Sequence, residues 1–553
     1  MKIIDAQSLA VSTLYTDICI VGTGPAGQAL AREFAGTQFR VCMIESGGFK
    51  KRRDTQRLNN AEAEGTPYQN PRHTRSRQLG GTSNRWEIKI GPNVEGGRFA
   101  AYDPLDFEDR YWLPEGCWPF DHATIEPYYH RAQKTIHLGP FEYMAEYWET
   151  PETARLALNP EVLTSGMYQF GARANFEVSK LTQNNLTILY NATVQEVETH
   201  ADGGTVTGIR ALTYNGKTIR VNAEKVVLAM GGIETVRLLL LSTGRNKHPG
   251  GLGNDYDQLG RYFMDHPQAH FGVITPKSRD IFEQVDLYDL HWQPEGGYAT
   301  MGMLKLSEAA QRREKLPNFA FLLYPRRRTH LTKTYQAYRH YTQALHQHYI
   351  PPSPVENFTE MLRNAATTIQ FAEGSLRRSN YYYNLAEGGW SDLPNKSKLF
   401  EVFEVITQIE QLPHPENRIS LGTSVDAYNQ RRAKIHWHWG DEDTEYVRCA
   451  HEVFAAEMER AGIGETRFPD APYHVPGSHH HIGGARINVD PHEGVVDENL
   501  KVHGVDGLYL STSATFPTGS YANPTLTIVA LAIRLADHLK QAEKRHAELW
   551  SSS

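Results

Sequence analysis

The sequence has little cysteine. Cys19, Cys42, Cys117 and Cys449 are spread over 553 residues, and no two form a C-x-x-C pair. That excludes a disulfide framework and thiolate zinc modules, and it suits a reducing compartment. Long hydrophobic runs are missing as well. No stretch of about 18 consecutive apolar residues occurs, which argues against a membrane-spanning helix. Mean hydropathy is −0.52. Positive charge is not in excess: 57 Lys and Arg stand against 64 Asp and Glu, a net −7 that suits a nucleic-acid backbone poorly. Internal repeats and low-complexity tracts are absent. The opening residues lack the charged-then-apolar layout of a cleaved export signal, so a soluble, cytoplasmic chain is expected. What is present is ordinary globular usage, 40% hydrophobic and 22% charged, in a chain long enough for a large core.

The first informative stretch is residues 16–48. Ile18, Cys19, Ile20 and Val21 form a short apolar run ending on glycines, which reads as a buried parallel strand. Gly22, Gly24 and Gly27 follow at G-x-G-x-x-G spacing, then a helical pattern to residue 34 and a second apolar strand ending at Glu45. In such a unit Gly22 permits the tight turn and Gly24 lets the backbone approach a pyrophosphate. Gly27 lets the helix pack on the strand, and the helix N-terminus offers partial positive charge. Glu45, followed by Ser46, stands where a carboxylate binds ribose hydroxyls and disfavours a 2′-phosphate. The spacing predicts a dinucleotide site and leaves NAD and FAD open. Cys19 and Cys42 read as small core residues.

A second glycine cluster, Gly80, Gly81, Thr82, Ser83, Asn84, Arg85, Trp86, suits close backbone approach to a ligand. Asp121 is placed to cap a helix. Residues 185–197 read as strand, turn, strand, and residues 208–221 as a hairpin. Residues 226–244 read as another strand, a Gly231–Gly232 turn and an apolar helix, so the cofactor domain is expected to be discontinuous in sequence. Residues 417–421 and 433–439 alternate like antiparallel strands, and residues 443–461 like an amphipathic helix.

Residues 325–354 carry Arg326, Arg327, Arg328, Lys333 and Arg339 and no acidic residue, interleaved with Tyr335, Tyr338, Tyr341 and Tyr349. The first reading is a solvated helical insertion. A membrane-surface or partner contact, or a lid over a polar substrate, is the sharper alternative. The domain division expected from these patterns is a cofactor domain from residues 1–130, 185–270 and 470–553. Residues 131–184 form a helical, substrate-side segment, and residues 271–469 a substrate domain with its insertion at 325–396.

Near the C-terminus His479, His480 and His481 precede a Gly483–Gly484 turn. Three adjacent histidines without a converging partner motif do not make a zinc site, so no metal is expected. Residues 505–510 read as a strand entering a loop with Thr512 and Ser513. Asn523, Pro524 and Thr525 then precede an apolar helix at 526–539. Pro524 suits a helix start, where the dipole is positive.

Six stretches carry a resemblance: VGTGPAGQALA with Glu45, GGTSNRW, AMGGIETVRLLLLS, LGRYFMDHP, SHHHIGG, and the run from GVVDENLKVHG through FPTGSYANPTLTIVALAIRLAD. Together they resemble the glucose–methanol–choline (GMC) flavoprotein oxidoreductases nearly end to end. They are most similar to the branch with pyranose oxidase-like and gluconate or fructose dehydrogenase-like members. The resemblance implies a mixed α/β and α+β fold, a Rossmann-like FAD-binding domain interleaved with an antiparallel-sheet substrate domain. It implies catalytic roles for His480, followed after two residues by glycine, and for Asn523, which precedes proline. It implies FAD contacts from Gly22, Gly24, Gly27, Glu45, Ser46, Gly80, Gly81, Thr82, Asn84, Val194, Gly231, Thr512, Ser513, Pro524 and Thr525. Members with covalent flavin often carry a histidine in the GGTSNRW loop. This chain has Asn84 and Arg85 there, which implies noncovalent FAD.

The implied activity is oxidation of an alcohol, on a sugar, glycoside or other polyol. His480 takes the hydroxyl proton and Asn523 holds the same oxygen. A non-sugar alcohol, a flavin-dependent lyase or decarboxylase on the same fold, a nicotinamide dehydrogenase and a noncatalytic FAD-binding protein are the alternatives. The electron acceptor (oxygen, quinone or a protein partner) and self-association stay open. Residues 325–396 match nothing that the family carries over.

Overall fold

The computed structural model describes residues 1–113, 115–244, 246–347, 350–351, 353–376, 388–471 and 479–551. Tyr349 of the basic stretch and Ser478 before the histidine run lie outside them. The expected βαβ unit is the strand Thr13–Val21, the helix Pro25–Glu33 and the strand Val41–Ile44, with Ile18 to Val21 in parallel register with Val41 to Ile44. Ile18, Cys19, Ile20, Cys42, Met43 and Ile44 are all buried. A strand covered on both faces has no polar side to alternate with, which is why these runs read as continuously apolar.

This unit sits in an eight-stranded sheet. The order is Lys2–Asp5, Leu186–Tyr190, Val41–Ile44, Thr13–Val21, Thr218–Leu228, Val206–Thr213, Ala192–Thr199, with Leu508–Leu510 also paired to Thr218–Leu228. The C-terminal helix Thr525–Ser551 packs on Pro25–Glu33 and on the Asp121-capped helix His122–Ile136, so both ends of the chain build one layer. The residues read as a hairpin strand and as a later central strand are one uninterrupted strand, Thr218–Leu228. Its first half alternates buried and exposed, and its last three residues are buried throughout. The change of pattern marks where the strand enters the core.

A nine-stranded sheet forms the second layer. Its order is Gly464–Arg467, Gln268–Pro276, Val402–Ile409, Phe319–Arg326, Tyr298–Leu306, Leu163–Ala172, Val94–Phe99, Ile88–Gly91, with Leu290–Gln293 on Tyr298–Leu306. Its neighbours run antiparallel throughout. Two of its strands, Ile88–Gly91 and Val94–Phe99, lie in sequence between cofactor-side segments yet pair here. The antiparallel pair Arg418–Val425 and Arg431–Trp437 joins Glu62–Gly65 in a separate three-stranded sheet set against the helix Gly232–Leu241.

The basic stretch divides. Arg326 ends a sheet strand, buried and ion-paired with Glu404 at 3.0 Å. The helices Lys333–Gln347, Pro354–Arg363 and Ala365–Leu376 follow. No helix among the described residues is long and apolar enough to cross a membrane.

Candidate active site and cofactor cleft

A cavity of about 760 Å³ opens where the loops following the parallel strands face the strand Val94–Phe99. Gly22, Gly24, Glu45, Ser46, Gly81, Thr82, Asn84, Val194, Gly231, Thr512, Ser513, Pro524 and Thr525 line it, together with His480 and Asn523. Gly27 and Gly80 stand one layer behind. A Cβ on Gly27 would lie 2.1 Å from the Gly22 carbonyl oxygen, so its role is helix-on-strand contact. Gly80 has φ 91° and its N–H donates to Thr23 Oγ1 at 3.2 Å. Gly22, at φ 105°, would meet the Ala229 carbonyl oxygen at 2.5 Å. Gly24 differs: a Cβ there meets nothing within 4 Å, and its backbone is left open to the cavity.

The acidic residue at the strand end is held in place. Glu45 Oε2 accepts the Thr23 N–H at 3.2 Å and hydroxyl at 2.8 Å, and Oε1 accepts the Gly47 N–H at 2.9 Å. Burial raises its pKa in spite of these donors and of the Arg77 charge. Ser46 Oγ shares a hydrogen bond with Thr193 Oγ1 at 2.7 Å. Asn84 Nδ2 donates to the Leu79 and Gly81 carbonyls, both at 2.9 Å, and braces the glycine loop.

Across the cleft His480 and Asn523 meet, with Nε2 and Nδ2 3.1 Å apart. Arg98 Nε donates to Asn523 Oδ1 at 2.9 Å, and its guanidinium lies 4.5 Å from the centre of the Tyr168 ring. An arginine has no acceptor, so this bond decides which way the Asn523 amide faces. With Oδ1 toward Arg98, Nδ2 donates to His480 Nε2, which must present its lone pair. The imidazole proton is then on Nδ1, which lies 3.2 Å from Nδ1 of His266. His266 accepts there and keeps its own proton on Nε2. A donor-only side chain thus sets the tautomer of two histidines in series.

The histidine run is anchored by Asp265. Its carboxylate accepts the backbone N–H of His266 at 2.6 Å, His479 at 3.2 Å and His480 at 3.0 Å, and the Tyr68 hydroxyl. Arg75 donates to the His479 carbonyl. Burial, followed by the charges of neighbouring His266, Arg98 and Arg75, pushes His480 well below the usual imidazole range. His266 and His479 are lowered to about 4, burial again being the first cause. All three are neutral at pH 7.

The sequence pattern predicts no metal, yet the fold brings ligand atoms of Asp265, His479 and His481 within 4.8 Å of one another. Both Asp265 oxygens already accept hydrogen bonds, and the Arg75 charge lies beside them. A cation would have to displace the Tyr68 hydroxyl and face a guanidinium, so these groups suit a hydrogen-bonded anchor.

Arg98, Asp265, His266 and Arg75 escape the motif reading. Asp265 and His266 lie inside LGRYFMDHP, where the pattern could have pointed to them. Arg98 follows Gly96 and Gly97, and a Cβ on Gly97 would press into the Trp86 ring at 2.8 Å. That glycine pair is the one local hint that the strand runs close to the GGTSNRW loop.

The model of the GMC oxidoreductase N-terminal domain matches residues 168–268, and that of the C-terminal domain matches residues 413–532. The chain is 24% identical to the fructose dehydrogenase large subunit of Gluconobacter japonicus over 95% of its own length and 98% of the relative's. It is 23% identical to paromamine 6′-oxidase of Streptomyces fradiae over 94% and 90%. A crystal structure of formate oxidase superposes with a TM-score of 0.53 at 16% identity, over 97% of this chain and 100% of that one, a likeness of fold. Of the residues around the cleft, the first match takes in 192–195, 229–234, Asp265 and His266, and the second the histidine run and Asn523, two models of one family, and the chain belongs to the GMC oxidoreductase family.

Proposed function

We propose that this chain oxidises an alcohol group of a sugar, glycoside or other polyol to the carbonyl, with FAD held noncovalently in the cleft. The observation that carries the reading is the His480–Asn523 pair, 3.1 Å apart, in the wall of a cavity that a glycine cradle also lines. The cradle suits a dinucleotide: Gly24 leaves its backbone open, the helices from Pro25 and Thr525 point their N-termini at the cavity, and Glu45 stands at the ribose position. FAD, when bound, supplies the hydride acceptor.

The residues of the chain do the rest. His480 is neutral, and once a substrate hydroxyl displaces the Asn523 amide from its Nε2 lone pair, that nitrogen takes the hydroxyl proton. Asn523 offers its amide to the same oxygen. Arg98 keeps that amide from flipping, and His266 holds the proton on Nδ1 so that Nε2 stays basic. The N-terminus of the helix Thr525–Ser551 favours negative charge in the cavity beside Pro524. Asn84 and Arg85 occupy the loop where covalent members carry histidine, which supports noncovalent FAD. A sugar or glycoside is preferred because the relatives include a fructose dehydrogenase, a paromamine oxidase and a C-glycoside oxidase. The eight-stranded sheet supports a cofactor unit drawn from both chain ends, and the nine-stranded sheet a substrate unit facing it.

The test is anaerobic bleaching of the purified flavoprotein with a panel of sugars, glycosides, sterols and simple alcohols, followed by readmission of oxygen. Bleaching by at least one polyol supports the reading. Bleaching by no alcohol would favour a lyase or decarboxylase. Rapid return of colour in air identifies oxygen as the acceptor, and slow return points to a quinone or a protein partner.

A further inference from the structure

Among the described residues, the three-helix excursion after Arg326 leaves an apolar face exposed. Among the described residues sixteen large hydrophobic side chains are exposed, and six of them fall within residues 345–369: Leu345, Ile350, Val355, Phe358, Leu362 and Ile369. The helix Pro354–Arg363 buries none of its residues. Val355, Phe358 and Leu362 recur at intervals of three and four and so share one side of it, exposed by 77%, 51% and 61%. The excursion does have its own interior. Ala337, Ala344 and Phe371 are buried, with the Tyr335 and Tyr338 rings against Phe371. The outward apolar row is therefore in addition to a core already made. A monomer gains nothing from such a row in water, and its position in one element marks a binding face.

Charge selects the occupant. Residues 325–354 hold five basic side chains and no acidic one in a chain of net −7. Arg326 is used internally and Arg327 donates to the Leu399 carbonyl, whereas Arg328 and Lys333 are exposed at the entry to the helices. Glu356, Glu360 and Glu373 follow against Arg363, leaving residues 325–376 net positive. A two-fold contact between copies would set this basic flank against itself. The entry to the first helix is tied to the helix of the apolar row by Thr334 Oγ1 donating to Glu360 Oε1 at 2.8 Å, and an apolar row with exposed cations on one excursion suits a helix lying in the headgroup layer. We propose that this face docks the protein on an anionic phospholipid membrane, with Val355, Phe358 and Leu362 in the acyl boundary and Arg328 and Lys333 on the headgroups.

The test is co-sedimentation of the full-length flavoprotein with vesicles of phosphatidylcholine, with and without phosphatidylglycerol. Binding is expected to the anionic vesicles, weakening as salt rises. Combined Val355→Gln, Phe358→Gln and Leu362→Gln should weaken it about tenfold or more, because burial of these side chains drives it. Arg328→Gln with Lys333→Gln should lower binding to anionic vesicles only. Turnover of a dissolved alcohol should be unchanged in both variants. Absence of vesicle binding at low salt, or binding that the triple variant leaves intact, overturns the proposal. Light scattering that shows a dimer abolished by the triple variant would assign the face to a second copy and also overturn it. A lower melting temperature of that variant without vesicles would show that the chain itself covers the row, and the membrane proposal would fall in that case too.

Discussion

Nε2 of His480 faces Nδ2 of Asn523 at 3.1 Å, and Oδ1 of the same amide accepts from Arg98. Two residues widely spaced in the sequence thus form one hydrogen-bonded pair whose orientation a third residue decides. His480→Ala should keep bound FAD, because the glycine cradle and the two helix N-termini at the cavity do not depend on this side chain. The rate of flavin reduction by substrate should fall about 10²–10⁴-fold. Stopped-flow absorbance of the flavin band is the measurement, and unchanged reduction would remove His480 from the role.

Arg98 acts through Asn523, so its loss should have a distinct signature. Arg98→Met lets the amide rotate and removes a positive charge that helps depress His266 and His480. We expect kcat to drop about tenfold or more, the scale of a charge-assisted hydrogen bond. The acid limb of the kcat/KM profile should move to higher pH. Arg98→Lys retains charge and a donor and should restore the pH profile more than the rate. A profile identical to wild type in Arg98→Met would reduce Arg98 to a packing residue.

Gly24 and Gly27 should separate ligand binding from folding. Gly27→Ala forces a methyl against the Gly22 carbonyl oxygen, so expression as folded protein and melting temperature should both fall. Gly24→Ala meets no protein atom. It should fold with near-normal stability yet hold FAD more weakly, read as flavin released on gel filtration. Equal effects in both assays would contradict the division of roles.

Arg110 is buried with two carboxylates. It binds Glu410 through two bonds of 2.8 and 2.7 Å and lies 3.4 Å from Asp106. Burial and the Glu410 charge raise the Asp106 carboxyl to about 7, which the Arg110 charge opposes. Arg110→Leu leaves two acids without their cation and should cost about 3–5 kcal/mol in urea unfolding. Removing Glu410 as well should cost less than the sum of the single changes.

Acidification should weaken the fold in a defined window. His266 and His479 titrate near 4 when folded, against an ordinary imidazole value of about 6.5 when unfolded. Between these values the unfolded chain takes up protons that the folded chain refuses. Stability from these groups is full above about pH 6.5 and is lost progressively as pH falls toward 4. Melting temperature should decline from pH 7 to pH 5, and His479→Gln should flatten the slope. A melting temperature constant over that range would mean that these imidazoles are not held neutral.

Local chemistry decided much of this molecule in the sequence itself. A pyrophosphate needs bare backbone at a helix start, so Gly22, Gly24 and Gly27 had to stand where they do within one βαβ unit, and the unit could be read as such. The sequence pointed to His480 and Asn523 only through the resemblance of their short patterns to one family, because a glycine turn and a helix start do not by themselves select a histidine or an asparagine. What only the tertiary structure decided are the relations without any local period. Arg98 reaches Asn523 across hundreds of residues, Asp265 gathers the histidine run, and the strands Ile88–Gly91 and Val94–Phe99 leave the cofactor side to join the second sheet. Spacing in a chain constrains neighbours within a turn or a strand. Which distant side chain supplies the next donor depends on how the sheets meet, and that follows from burying both of them at once.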